Sequence, residues 1–152
     1  MVLDDGGHAL SRIPKHLTSR YMVSTVEQTT SGMPIKQLTQ QIPVINVAGS
    51  ALKRLVESPM IAKAIMDRIT LYLPMRPGRT SCGVIGMGNI GMAVARLLRH
   101  KGYAVHIYDI DPSRLVGSKS VSICANPIDL LKKTSVLFGC SGKDALQSVL
   151  GE

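Results

Sequence analysis

Downstream of residue 80 the chain alternates short apolar runs with segments of helical period. Ser81 to Ile85 and Ala104 to Asp109 have the length and composition of strands, and between them Ile90, Ala93, Val94, Leu97 and Leu98 recur at i, i+3, i+4, i+7 and i+8. That spacing predicts a helix over Asn89 to Lys101 with one apolar stripe. Arg96, Arg99 and His100 lie off the stripe, and Gly102 offers a C-terminal stop. Val121 to Cys124, a helix-like Pro127 to Lys133, and Val136 to Phe138 continue the alternation. Such an order calls for a parallel sheet with covering helices.

Leu73 to Thr80, with two prolines and a glycine, forms a seam before this region. Upstream, Met1 to Asp4, Tyr21 to Val26 and Val44 to Val47 read as strands, and Pro34 to Gln40 and Ala51 to Leu73 as helices. Ser58 followed by Pro59 has the chemistry of an N-cap and first helical position, so the long helix is expected to break there; Met60, Ile61, Ala64, Ile65 and Ile69 then supply a buried face. The expected class is α/β: a parallel sheet with flanking helices over 80–152, a hinge helix and linker over 51–79, and a partial N-terminal α/β lobe over 1–50. That lobe begins without preamble, as if its remaining strands belonged to sequence outside the chain.

The run CGVIGMGNIGMAVARLL, from Cys82 to Leu98, places four glycines in an apolar setting. A glycine costs roughly 1 kcal/mol in a regular element, so three at the spacing of Gly86, Gly88 and Gly91 need a reason. A helix N-terminus offers unpaired amides and the positive end of the macrodipole to a diphosphate, provided no side chain stands in the way. Gly86 suits the turn out of the strand, Gly88 the approach of phosphate to backbone, and Gly91 the packing of helix on strand; Asn89 and Ile90 open the helix between them. Asp109 ends the next strand about 20 residues on, where a carboxylate accepts from the ribose hydroxyls of a dinucleotide. These surroundings make the unit Rossmann-like and NAD the expected cofactor. Asp109 disfavours a 2′-phosphate, while the nearby Arg114 keeps NADP open; Asp111 before Pro112 reads as a turn residue.

Composition narrows the classes further. The formal net charge of +8 invites a nucleic-acid partner, yet the basic residues are spread from Arg12 to Lys143 without a run of five. With one Phe and no Trp, a stacking platform for single strands is disfavoured. Cys82, Cys124 and Cys140 are far apart in apolar runs and lack His companions at ligand spacing, which fits reduced thiols of a cytoplasmic protein and no metal. No leader of basic-then-apolar type opens the sequence, and no apolar stretch is long enough to span a bilayer.

Four segments carry a resemblance to the S-adenosyl-L-homocysteine hydrolase family over nearly the whole chain. Leu3-Asp4-Asp5-Gly6-Gly7 looks like that family's Leu-Asp-Asp-Gly-Gly, and Glu27 to Gly32 is similar to its Glu-Glu-Thr-Thr-Thr-Gly. Ile45 to Lys53 is similar to its Ile-Asn-Val-Asn-Asp-Ser-Val-Thr-Lys, and Gly86 to Gly91 matches its cofactor loop. The resemblance implies an NAD-dependent hydrolase of one-carbon metabolism: the ribose 3′-hydroxyl is oxidised, the C4′ proton is removed, homocysteine is eliminated, water adds and the ketone is reduced. It also implies that Asp5 is the base at C4′, that Lys53 assists oxidation, and that Thr29, Thr30 and Ser31 contact NAD. An adenosine-type ligand and a homo-oligomer belong to the same expectation.

On the residues alone, Asp4 and Asp5 before two glycines also read as a turn, and Lys53 as a solvated helix residue. The chain departs from the family as well. Gln28 stands where the family has a glutamate on the substrate ribose, Ala48-Gly49 replaces Asn-Asp, Glu57-Ser58 stands where Asp-Asn would follow the lysine, and His8 replaces a further Asp. Two other readings therefore stay open: a catalytically silent NAD-binding regulatory module, and the cofactor domain of a 2-hydroxyacid dehydrogenase. The latter accounts for Gly83 to Gly91 but not for the segments at Leu3 and Glu27.

Overall fold

A computed structural model describes residues 1–29, 42–116 and 120–142. The chain divides into two compact units, Met1–Lys53 and Arg54–Glu152. The helix expected over Pro34 to Gln40 lies outside the described residues, as do Thr30 and Ser31.

In the first unit, β1 (Val2–Asp4), β2 (Thr25–Glu27) and β3 (Val44–Asn46) form a parallel sheet in that order, with Val2 opposite Thr25 and Thr25 opposite Val44. A 3-10 turn at Leu10–Arg12 and α1 (Lys15–Arg20) connect β1 to β2. The strands are shorter than their apolar patterns suggest. Tyr21 stays with α1, its amide bonding the Leu17 carbonyl, and the Ser24 carbonyl already accepts the Val2 amide at 2.8 Å as the segment joins β1.

At the division between the units, Lys53–Glu57 forms a π-helical turn leading into α2 (Ser58–Ile69). The expected break at Ser58 is absent. Glu57, the residue before α2, has helical dihedrals and makes no capping bond, while Pro59 sits in the first turn. Proline cannot supply its amide to the preceding turn, and a widened turn ahead of it accommodates that loss without ending the helix.

The second unit continues with β4 (Ser81–Ile85), α3 (Asn89–His100), β5 (Ala104–Tyr108), a 3-10 turn at Pro112–Leu115, β6 (Ser122–Ile123), α4 (Pro127–Lys133) and β7 (Val136–Gly139). All four strands are parallel, in the order β6-β5-β4-β7. The chain thus moves outward in one direction from β4 and then returns to pair β7 on its other side, so β4 and β7 flank the point where the winding reverses. In open α/β sheets, ligands bind outside the carboxyl ends of strands at such a point.

The core lies on both faces of this sheet. Cys82 and Val84 of β4 and Val105 and Ile107 of β5 pack with Val94, Ala95 and Leu98 of α3 and with Ala62 and Met66 of α2. On the opposite face, Ile85 packs with Cys124 and Leu130. The buried face of α3 is Gly91, Val94, Ala95 and Leu98, a stripe turned from the predicted one. Ile90 is 37% exposed at the helix start, and Ala93 and Leu97 sit at the margin of the core. The helix follows the sheet on one side and α2 on the other, so its apolar surface is wider than one stripe. Its end is as expected: Gly102, at φ +83°, follows the C-cap Lys101.

Candidate dinucleotide site and the carboxylate-held loop

Gly86 leaves β4 with φ +92°, and its amide donates to the Tyr108 carbonyl at 2.9 Å. A side chain there would meet the Ser141 backbone 2.6 Å away, just after β7. A methyl on Gly91 would overlap the Gly86 carbonyl oxygen, so the first turn of α3 lies directly on the end of β4. Gly88 differs from both. It is the N-cap of α3, extended at φ −69° and ψ −169°, and a Cβ on it would meet nothing within 4 Å. Two of the three glycines are therefore required by the protein's own packing, and the third by no contact among the described residues.

The first bond of the helix runs from the Met92 amide to the Gly88 carbonyl, at 2.9 Å. The amides of Asn89, Ile90 and Gly91 come before it and have no carbonyl one turn back. At this helix start Asn89 is half-buried and Ile90 exposed. Open space over Gly88, beside these amides at the positive end of a twelve-residue helix, fits a diphosphate.

Asp109 follows β5 beside this turn, but its carboxylate already has work inside the chain. It is 6% exposed; Oδ2 accepts the Met87 amide at 2.5 Å and Oδ1 the Asp111 amide at 2.9 Å. Arg114 stands 3.8 Å from Oδ2 and 3.5 Å from the Asp111 carboxylate. Asp111 caps the turn at Pro112, accepting the Ser113 amide at 3.0 Å and its hydroxyl at 2.7 Å. Those Ser113 bonds, with Arg114 beside it, hold the Asp111 carboxyl below its usual range against slight desolvation. The sequence indicated an acid at position 109; the second partner, the Met87 amide of the glycine loop, had no signal in it.

In the first unit the Leu3 to Gly7 segment is organised by two buried carboxylates. Asp4 accepts the Ala9 amide at 3.0 Å and the Leu10 amide at 2.7 Å. Glu27, 1% exposed, accepts from Gly6 at 3.1 Å, Gly7 at 2.9 Å, the Thr29 amide at 2.7 Å and the Thr29 hydroxyl at 2.7 Å. Gly6 and Gly7 take φ of +85° and +74°, which turns both amides toward that carboxylate. For each acid, burial raises the carboxyl's pKa, but the converging donors outweigh it and the net displacement is downward. Sequence reasoning missed Glu27; an acid at the end of an apolar strand, with a Gly-Gly pair elsewhere, was the available signal.

Asp5, Thr29 and Lys53 all follow the carboxyl ends of adjacent strands: Asp5 directly after β1, Thr29 two residues after β2, and Lys53 in the π-turn beyond β3. Asp5 is exposed and Lys53 half-buried. The Thr29 hydroxyl, expected on a cofactor, donates to Glu27 and accepts the Gly6 amide at 2.8 Å. The three thiols are free; burial pushes Cys82 up to about 11 and raises Cys124 and Cys140. Among the described residues no group of three or more His, Cys, Asp or Glu could hold a metal, and no helix is long and apolar enough to cross a membrane.

The second unit is an α/β domain of the Rossmann type, built for NAD. Residues 81–150 match the family model described as the NAD binding domain of 6-phosphogluconate dehydrogenase. An uncharacterized protein of Mycobacterium tuberculosis is 30% identical over 156 residues, covering 100% of this chain and 29% of that protein. Adenosylhomocysteinase of Acinetobacter baylyi is 26% identical over 165 residues, covering 93% of this chain and 35% of the enzyme. The chain thus spans about a third of the length of these curated relatives. Two solved structures share the fold: a dehydrogenase from Rhizobium meliloti (TM-score 0.57, 17% identity, 99% of this chain and 57% of that one) and the A chain of dipicolinate synthase from Bacillus subtilis (TM-score 0.61, 14% identity, 95% and 48%).

Proposed function

We propose that this chain is the NAD-binding part of a protein related to adenosylhomocysteinase, with the glycine loop receiving the cofactor's diphosphate on the amides of Asn89, Ile90 and Gly91. The observation that carries this reading is Gly88, whose missing side chain serves no contact among the described residues yet leaves open space at the helix start. Asp109 holds the loop in shape through Met87, and its remaining lone pairs serve the adenine-side ribose. Two carboxylates near that ribose position, Asp109 and Asp111, outweigh Arg114 and favour NAD over NADP.

Bound NAD supplies hydride transfer to and from the substrate. For the rest of such a reaction the chain offers Asp5, solvent-facing after β1, as the group that removes a proton, and Lys53 as the cation near the hydroxyl being oxidised. Support for these two roles is their position at the carboxyl ends of the first unit's strands and the 26% identity to the Acinetobacter enzyme. The domain boundaries follow the same reading: a substrate-side lobe over 1–50, a hinge over 51–79 and the cofactor domain from residue 80 onward.

A second reading, a catalytically silent NAD-binding module, is favoured by the Thr29 hydroxyl being committed to Glu27 and Gly6, and by Gln28 in place of an acid. Separate calorimetric titrations with NAD, NADP and adenosine decide between them. NAD binding with adenosine binding that depends on it supports the hydrolase-like protein. NAD binding with no adenosine response supports the silent module, and no NAD binding refutes both.

A further inference from the structure

In the second unit, α2 and α3 border an open cavity of about 670 Å³ that meets the dinucleotide site at Asn89 and runs away from it along α3. Its lining follows α3 from Asn89 to Lys101, about 18 Å at 1.5 Å per residue. The floor is aliphatic: Pro59 and Ala62 from α2, and Met92, Ala93 and Leu97 from α3. This is the surface that widens α3 beyond a single stripe, and it explains apolar positions that the sheet does not cover.

The rim is basic. Arg54, Arg96, His100 and Lys101 border the floor, and all four are exposed. The acid on the rim, Asp67, is bonded to Lys63 at 2.5 Å. Among the described residues Arg54, Arg96 and Lys101 form no ion pair, so the groove presents uncompensated positive charge over an apolar base.

We propose that this groove is a docking site for an acidic amphipathic helix of another protein. A trough about three turns long between two helices accepts a third helix through apolar residues at i, i+3 or i+4 and i+7, the helix-in-groove mode of recognition. Its flanking carboxylates would meet Arg54, Arg96 and Lys101. Among the described residues a second copy of this chain offers no such helix: each of the four carries more basic than acidic residues, and the chain's net charge is +8.

The test is fluorescence anisotropy of the full chain with a labelled 16-residue helical peptide bearing leucines at i, i+3, i+7 and i+10 and glutamates on both flanks, at 30 and 300 mM salt. Binding that weakens at least tenfold in the R96E/K101E variant, weakens with salt, and returns to that variant when the peptide's glutamates become lysines is the expected result. Both substituted residues are exposed and outside the glycine loop, so unchanged NAD affinity and circular dichroism separate this test from the cofactor reading. Three results overturn the proposal: no peptide binding, equal binding to wild type and variant, or a charge-sensitive response to dodecanoate with none to the peptide, which would give the groove to a small anionic amphiphile.

Discussion

Gly88 and Gly91 stand three residues apart in the same turn, and their substitutions should fail in opposite ways. At Gly91 a methyl group overlaps the Gly86 carbonyl oxygen and lies 3.0 Å from the Gly86 carbonyl carbon and 3.2 Å from Cys140 Cβ. Gly86 is itself closely packed on its other side, where the Ser141 backbone lies 2.6 Å from its Cβ position. Overpacking against clamped backbone costs up to about 3 kcal/mol, and the helical preference of alanine over glycine returns about 1. The net loss of up to about 2 kcal/mol corresponds to a fall in Tm of up to about 8–16 °C for a unit near 100 residues. At Gly88 the backbone is extended and the space open, so Gly88→Val costs the fold about 1 kcal/mol at most, the preference of an N-cap for glycine over valine. Its branched side chain instead occupies the volume the diphosphate needs. Losing one charge-assisted amide bond is worth about 1.5–3 kcal/mol, roughly a 10- to 200-fold rise in Kd. Thermal melts and NAD calorimetry on the two variants check both halves. A Gly88→Val protein that binds NAD as wild type does, or a Gly91→Ala protein that melts with wild type, refutes the reasoning.

Because the Glu27 carboxyl lies below its ordinary pKa in the fold, its stabilisation is fully present above that ordinary value and is lost as pH falls through the lower folded one. Urea unfolding should therefore weaken on acidification from about pH 4.5 downward; Asp4 adds to the same window. Glu27→Gln, which sets a donor against converging amides, should cost about 2–3 kcal/mol and flatten much of that slope. Asp109→Ala releases the Met87 amide and should lower stability by about 1–3 kcal/mol while weakening NAD and narrowing its preference over NADP, because Arg114 then faces one carboxylate instead of two; the same melts and titrations read both. Iodoacetamide at pH 8 should leave Cys82 and Cys124 unmodified in the native protein and label both in urea, since both are buried with raised pKa values; native labelling of Cys82 by mass spectrometry would contradict its placement in the core.

The parts that the sequence made legible are those where one local rule decides the outcome. The apolar runs of β4 and β5 and the end of α3 at Gly102 follow from composition, period and a C′ glycine. The three-residue strands of the first unit do not, because a parallel ladder that short is set by its neighbours more than by its own residues. Ser58-Pro59 looked like a helix start, but a cap is only one way to accommodate a proline, and a π-turn is another. The turned stripe of α3 reflects two packing partners where periodicity allows for one. Within the candidate sites, glycine spacing and the acid at 109 were readable, whereas the bonds from Met87 to Asp109 and from Gly6 and Gly7 to Glu27 join residues about 20 positions apart and leave no local trace.

The clasp of Asp109 on the Met87 and Asp111 amides ties the glycine loop to the end of β5. A glycine-rich loop left to itself would sample many shapes, and any visitor would have to freeze it at its own expense. Here an anchored carboxylate does the freezing beforehand, so the landing surface is already cast when a dinucleotide arrives. Association should then resemble a rigid lock, fast and with little reordering of the main chain.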